Sequence, residues 1–354
     1  MTSEMISKEQ SLSISYMKAI GILVVVIGHY SSSFFSIMQP YLYHMPLFFF
    51  VGGITLRREV VTFGAVKKIF MKLAPYMIIT YIITGALALA IEHVSGFYYG
   101  DPFYRDPFST AYLAFEKNMH NNHLFVVAWF LVAYFLASVL SRLVVSLANH
   151  YRYHSFVVII ISIIFGLVSV DFISDIYSHN KAQPLNVLVQ TMYGSSIMLL
   201  GYALKDYALK LFNPIYALIA IAMLIVLISC GYVKQSAMAW SNYPSGYMMS
   251  TIGSILCISV IVCIANNLSM NRYAFFKEIG DNSLTIMAWH LSIFALITSA
   301  FYFFDITNIQ NGKVVNIYNR FSFVAYVSLG VIIPLASLRM KKYIISTLLK
   351  KSLP

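Results

Sequence analysis

Charge is what this sequence has least of: Asp, Glu, Lys and Arg fill 10% of its 354 positions, where a soluble domain carries roughly 25%. Cysteine is scarcer still. Cys230, Cys257 and Cys263 show neither a disulfide framework nor a metal spacing and read as apolar filler. Acidic residues number 13 against 24 basic ones. The first 13 residues are polar, with no basic stretch leading into a small-residue cleavage site, so no removable signal peptide is expected. No long repeat or low-complexity tract is found.

What is there instead is hydrocarbon and aromatic ring, 59% hydrophobic residues overall. Several stretches run about 18 residues or more with few charges, enough to cross a layer roughly 30 Å thick at about 1.5 Å per helical residue. The expectation is an all-α polytopic membrane protein of about ten transmembrane helices, forming a single domain over residues 1–354. The spans are read at 16–36, 42–56, 70–91, 124–147, 155–173, 187–204, 212–232, 248–266, 283–304 and 318–338.

An even number of spans puts both termini on one side. With the N-terminus inside, inner segments carry 17 Lys and Arg and outer segments 6, Lys18 lying within the first span. The positive-inside rule therefore makes both termini cytoplasmic. The formal net charge of +11 is then a matter of topology, helped by anionic headgroups of the membrane lipids, and a nucleic-acid partner is not expected.

Residues 92–123, expected outside, form a connection of about 30 residues, against the usual 2 to 8 between packed helices. Its aromatics, with Asp101, Arg105, Asp106 and Glu116, suit either stacking on a polar extracytoplasmic ligand or an ordered cap over the bundle. His120 and His123 have the spacing of metal ligands if helical, but a third ligand is not evident, and no metal is expected.

Ionisable groups inside a span cost roughly 2.5 to 3.5 kcal/mol on insertion scales, which makes Lys18, His29 and His290 functional candidates. Eleven helical steps of about 100° bring Lys18 and His29 to one face, roughly 16 Å apart along the axis. Each has a bland alternative. Lys18 can be a snorkelling end residue, His29 an interhelical hydrogen-bond partner, and His290 a satisfied core histidine. After the second span, Arg57, Arg58, Lys67, Lys68 and Lys72 gather in one connection, with Lys68 and Lys72 on one helical face. Such a cluster can bind phosphates or simply obey positive-inside topology.

Taken together, these residues resemble the acyltransferase 3 family of integral-membrane O-acyltransferases. The resemblance rests on KAIGILVVVIGH (Lys18–His29), HMPLFFFVGG (His44–Gly53), KKIFMKLAPY (Lys67–Tyr76), Trp129–Leu131 and GDNSLTIMAWH (Gly280–His290), in order along the chain. Two positions depart from the pattern. Ser15 stands where an acidic residue commonly precedes the basic one by three, and Ile69 and Lys72 stand where paired arginines are common. Lysine holds phosphate as a point charge, without the fork of Arg.

The resemblance implies transfer of an acyl group, usually acetyl from cytoplasmic acetyl-CoA, to a hydroxyl of an extracytoplasmic or lipid-linked glycan, as in a bacterial inner membrane. It makes Lys18, Lys68 and Lys72 ligands of the CoA phosphates. His29 becomes the general base, with an ordinary imidazole pKa of about 6.5 leaving the ring mostly neutral. A covalent acyl-imidazole relay is the alternative, and His290 would orient His29, bind the acceptor or stabilise an oxyanion. The competing class is a secondary transporter of a sugar or lipid-linked glycan, which Asn186, Gln190, Asn266 and Asn267 would suit, although the matching halves common in transporters are not seen. Oligomeric state is not legible.

Overall fold

The computed structural model describes residues 6–30, 39–57, 61–304 and 322–351. Its helices are α1 (Lys8–Tyr30), α2 (Pro40–Ile54), α3 (Phe63–Ser95), α4 (Pro107–Glu116), α5 (Ala128–Ala148), α6 (His154–Leu167), α7 (Ser174–Asn180), α8 (Gln183–Ala203), α9 (Lys205–Ala208), α10 (Pro214–Ser229), α11 (Gly246–Ser269), α12 (Ala274–Asp281), α13 (Ser283–Phe303) and α14 (Ser322–Lys351). A π-helical turn, Val168–Ile173, joins α6 to α7. Among the described residues no strand forms, and one isolated bridge pairs Ala237 with Asn242. This is an all-α polytopic membrane protein.

Each of the ten expected spans falls on a helix. Residues 31–36 of the first and 318–321 of the last lie outside the described residues. Seven segments are long and apolar enough to cross a membrane by length and composition. The other three depart for visible reasons: α2 has 15 residues and α10 has 16, while the continuous 21-residue α8 is made less apolar by Gln183, Asn186, Gln190, Ser195 and Ser196.

Local sequence sets the helix ends. Ser7 and Gln10 cap α1 reciprocally, Gln10 N–H donating to Ser7 Oγ at 3.1 Å and Ser7 N–H to Gln10 Oε1 at 2.9 Å, a capping box that satisfies two first-turn donors. Asp106 caps α4 by accepting from Ser109 N at 2.9 Å, with Pro107 next, where a missing N–H costs nothing. Gly96, at φ 74°, ends α3 in the left-handed conformation that suits glycine.

Burial sorts the helices into a centre and a rim. All but one of the α2 residues are buried, and α2 packs against α1, α5, α8 and α11. Its approach to α8 is backbone to backbone: a Cβ on Gly53 would overlap the Met198 carbonyl, and one on Gly201 the Phe50 carbonyl. Without a hydrophobic force between helices in lipid, such small-residue contacts are what holds them. By contrast α3 and α10 expose Phe70, Met71, Ile78, Ile82, Ile219 and Ile225, a surface that only hydrocarbon would solvate cheaply. All three cysteines are free thiols.

Candidate functional site

Three imidazoles converge from α1, α2 and α13. The His29 and His290 rings lie 5.1 Å apart between centroids, inclined at 47°. His290 is fully buried and its Nδ1 lies 3.0 Å from the Ile286 carbonyl oxygen one turn back. A carbonyl can only accept, so Nδ1 carries the proton and Nε2 keeps its lone pair. That Nε2 is buried without a hydrogen-bond partner among the described residues. His44 repeats the arrangement, with Nδ1 2.6 Å from the Pro40 carbonyl oxygen. His29 and His44 share a cavity of about 10 Å³ with Val24, Val25, Gly28, Pro40 and Tyr41, about the space of one water.

The structure thus brings together His29 and His290, which sequence reasoning had singled out, and adds His44, which it had not. His44 falls inside the second span and meets the same criterion of an ionisable group in a membrane segment. In the sequence it enters as the first residue of the His44–Gly53 motif, not as an ionisable candidate.

Toward the other end of α1 sits a cluster of charge. Ser15 Oγ donates to Asp281 Oδ1 at 2.6 Å, and Lys277 pairs with Asp281 Oδ2. Lys18 is one turn beyond Ser15, half-buried. Burial pushes the Asp281 carboxyl up, but the bonds from Lys277 and Ser15 and the charges of Lys277 and Lys18 outweigh it and hold the group below its ordinary 3.8. Lys68 and Lys72 are exposed on one face of α3, with no ion pair among the described residues. The Tyr76 hydroxyl, one turn on from Lys72, is buried beside Thr285 and Trp289 of α13. The Lys72 end of α3 therefore lies against the end of α13 that begins just after Asp281. Lys18 stands on α1, which is not among the helices packed closely on α3.

Residues 96–123 form an ordered cap. Asn121 Nδ2 donates to Tyr81 Oη at 2.6 Å and Asn122 Nδ2 to Thr84 Oγ1 at 3.0 Å, bolting the segment to α3. Beneath it a cavity of about 550 Å³ is walled by α3, α4 and their connection, including Tyr81, Phe103 and Ala114. His120 lies against Trp240 at 4.4 Å between ring centroids, inclined at 43°, while His123 meets Tyr98 edge-on at 5.8 Å, so the two imidazoles face different neighbours. Burial pushes the His120 imidazole below its ordinary value, the Asn118 carbonyl working against it.

The amides that would have suited a transporter are occupied by backbone. The Ala239 carbonyl oxygen accepts from Asn118 Nδ2 at 2.6 Å, Gln190 Nε2 at 2.8 Å and Asn186 Nδ2 at 3.1 Å, strapping the 233–245 connection to the cap and to α8. Asn266 Nδ2 donates to the Ala208 and Leu211 carbonyls, each at 2.9 Å, and Asn267 Nδ2 to that of Phe212 at 2.7 Å. Both tie α11 to the reversal between α9 and α10, where the Ala208 carbonyl also accepts from Leu211 N at 3.2 Å.

No curated protein and no solved structure matches the chain. The sequence model of one family, described as an acyltransferase domain, matches residues 11–339, from the first turns of α1 to the middle of α14. That match spans the histidine cluster, the charged cluster and the cap alike, and the chain belongs to the acyltransferase 3 family.

Proposed function

We propose that this membrane acyltransferase moves an acetyl group from cytoplasmic acetyl-CoA to a hydroxyl of an extracytoplasmic or lipid-linked glycan in the plasma membrane, with both termini cytoplasmic. The observation that carries the reading is the contact of two imidazoles, His29 and His290, within a membrane bundle of this family. His29 is the more accessible of the two, as a base must be to meet a substrate. Lys18 stands in the first half of α1 and Lys68 and Lys72 in the first third of α3, where the CoA phosphates would sit, and the donor's extended arm is comparable in length to the roughly 16 Å between Lys18 and His29.

In this reading His29 accepts the proton of the acceptor hydroxyl as its oxygen attacks the thioester carbonyl carbon. The carbon–sulfur bond then breaks, and the leaving thiolate takes the proton from the imidazolium, so the ring returns to its starting state. His290, held by the Ile286 carbonyl, keeps the His29 ring in its working orientation. Mass spectrometry of cell-surface glycans with and without the gene tests the assignment. Loss of acetyl mass from a glycan is the expected result, and an unchanged glycan profile would overturn it.

A further inference from the structure

The carboxylate of Asp281 is placed by an unusually close helix contact. A Cβ on Gly280 would overlap the Ser15 carbonyl oxygen, so α12 can lie against α1 only with glycine there. That contact sets Asp281 Oδ1 2.6 Å from Ser15 Oγ, with Oδ2 taken by Lys277. Neither oxygen serves a helix end, since the first turn of α13 receives no side-chain cap. Two neighbouring acids among the described residues are engaged elsewhere, Glu278 with Arg339 and Glu9 with Arg272 at 3.7 Å. Asp281 is held at Ser15, and Lys18 lies three positions on along α1, so the carboxylate stands about one helical turn from the lysine, beyond a direct ion pair but near enough for the two charges to act on each other. In effect the carboxylate occupies the space beside residue 15 that an acid at that position would fill.

We propose that Asp281 is a positioning residue for Lys18 and, through it, for the phosphates of the acyl donor. The inference rests on the reading of Lys18 as a donor ligand. A lysine ammonium rides on a flexible stem with about 2 kcal/mol of rotamer entropy. A fixed carboxylate restricts its positions in the free protein, so less ordering remains when a phosphate arrives. Lys277 pairs with the carboxylate and Lys18 stands a helical turn from it, so two ammonium groups are set against one acid and the cluster keeps a net positive charge to meet an anion.

The test is CoA binding to the purified full-length chain in nanodiscs, measured by calorimetry. Lys18→Ala should weaken binding about tenfold and Asp281→Asn, which preserves shape and the Ser15 bond, about fivefold, the scale of one partly exposed charge pair. Ser15→Asp in the Asp281→Asn background puts the carboxylate back on α1 and should recover wild-type affinity within about twofold. In the Lys18→Ala background, Asp281→Asn should change affinity by less than about twofold, because the group it acts through is gone. A purely structural Asp281 predicts neither the rescue nor the lost effect. Unchanged affinity in Asp281→Asn, failed rescue, or an undiminished effect without Lys18 would overturn the inference while leaving Lys18 as a ligand. Unchanged affinity in Lys18→Ala would remove the donor reading and the inference together. Should Asp281→Asn not fold, Ser15→Ala decides: weaker binding by about twofold supports the tether, and wild-type affinity refutes it.

Discussion

His29 on α1 and His290 on α13 hold their rings 5.1 Å apart at an inclination of 47°, although 261 positions separate them in the sequence. The Ile286 carbonyl fixes the His290 tautomer, so the pair has one fully buried member locked by backbone and one partly exposed member.

If His290 acts by orienting His29, the two behave as a unit. His290→Ala should lower turnover by about 10-fold to 100-fold, and the double variant with His29→Ala should be no slower than His29→Ala alone. Turnover at matched folded concentration measures this. Multiplicative losses would show the two rings acting independently.

The α2–α8 contact predicts a packing defect far from the chemistry. Gly53→Ala drives a methyl into the Met198 carbonyl, where the obstacle is backbone and cannot rotate away. Overpacking of this kind costs about 1 to 3 kcal/mol or more. Thermal unfolding in detergent should show a lower midpoint and a lower yield of folded protein, and an unchanged midpoint would mean that the helices separate freely.

Lys72→Ala should raise the donor KM with little change in kcat, because phosphate contacts remote from the reacting bond contribute equally to ground and transition states. Steady-state kinetics with acetyl-CoA as the varied substrate give the answer. An unaltered KM would remove Lys72 from the donor site.

Reporter fusions at the two ends should both read cytoplasmic, and one placed in residues 96–106 should read the opposite side. The basis is the excess of 17 inner over 6 outer basic residues. An outward signal from either terminus would reverse the side on which the donor cluster lies.

Much of the fold was legible because a membrane span has a simple physical signature, length and lack of charge, and all ten expected positions carry helices. The histidines at 29 and 290 were legible for a related reason, since an ionisable group in hydrocarbon has to be accounted for. Contacts across the bundle were not. Nothing in the sequence pairs Asp281 with Ser15, because that bond depends on Gly280 letting two backbones meet. Asn186 and Gln190, two of the three amides gathered on the Ala239 carbonyl, likewise suited a transported ligand until their partner was visible. The cap over residues 96–123 is fastened by Asn121 and Asn122 to α3, side chains whose polarity in a sequence suits a ligand as well as a fold.

The central claim is that His29 is the base, and acyl transfer by His29→Ala tests it most directly. Wild type and His29→Ala, purified and matched for folded concentration, are given labelled acetyl-CoA and membranes from cells lacking the gene, with label in the glycan fraction as the readout. The account predicts unchanged folded yield and a loss of turnover of about 10² to 10⁴, the usual worth of general acid–base catalysis. Retention of more than about a tenth of wild-type turnover, less than the smallest loss expected of a base, would contradict it.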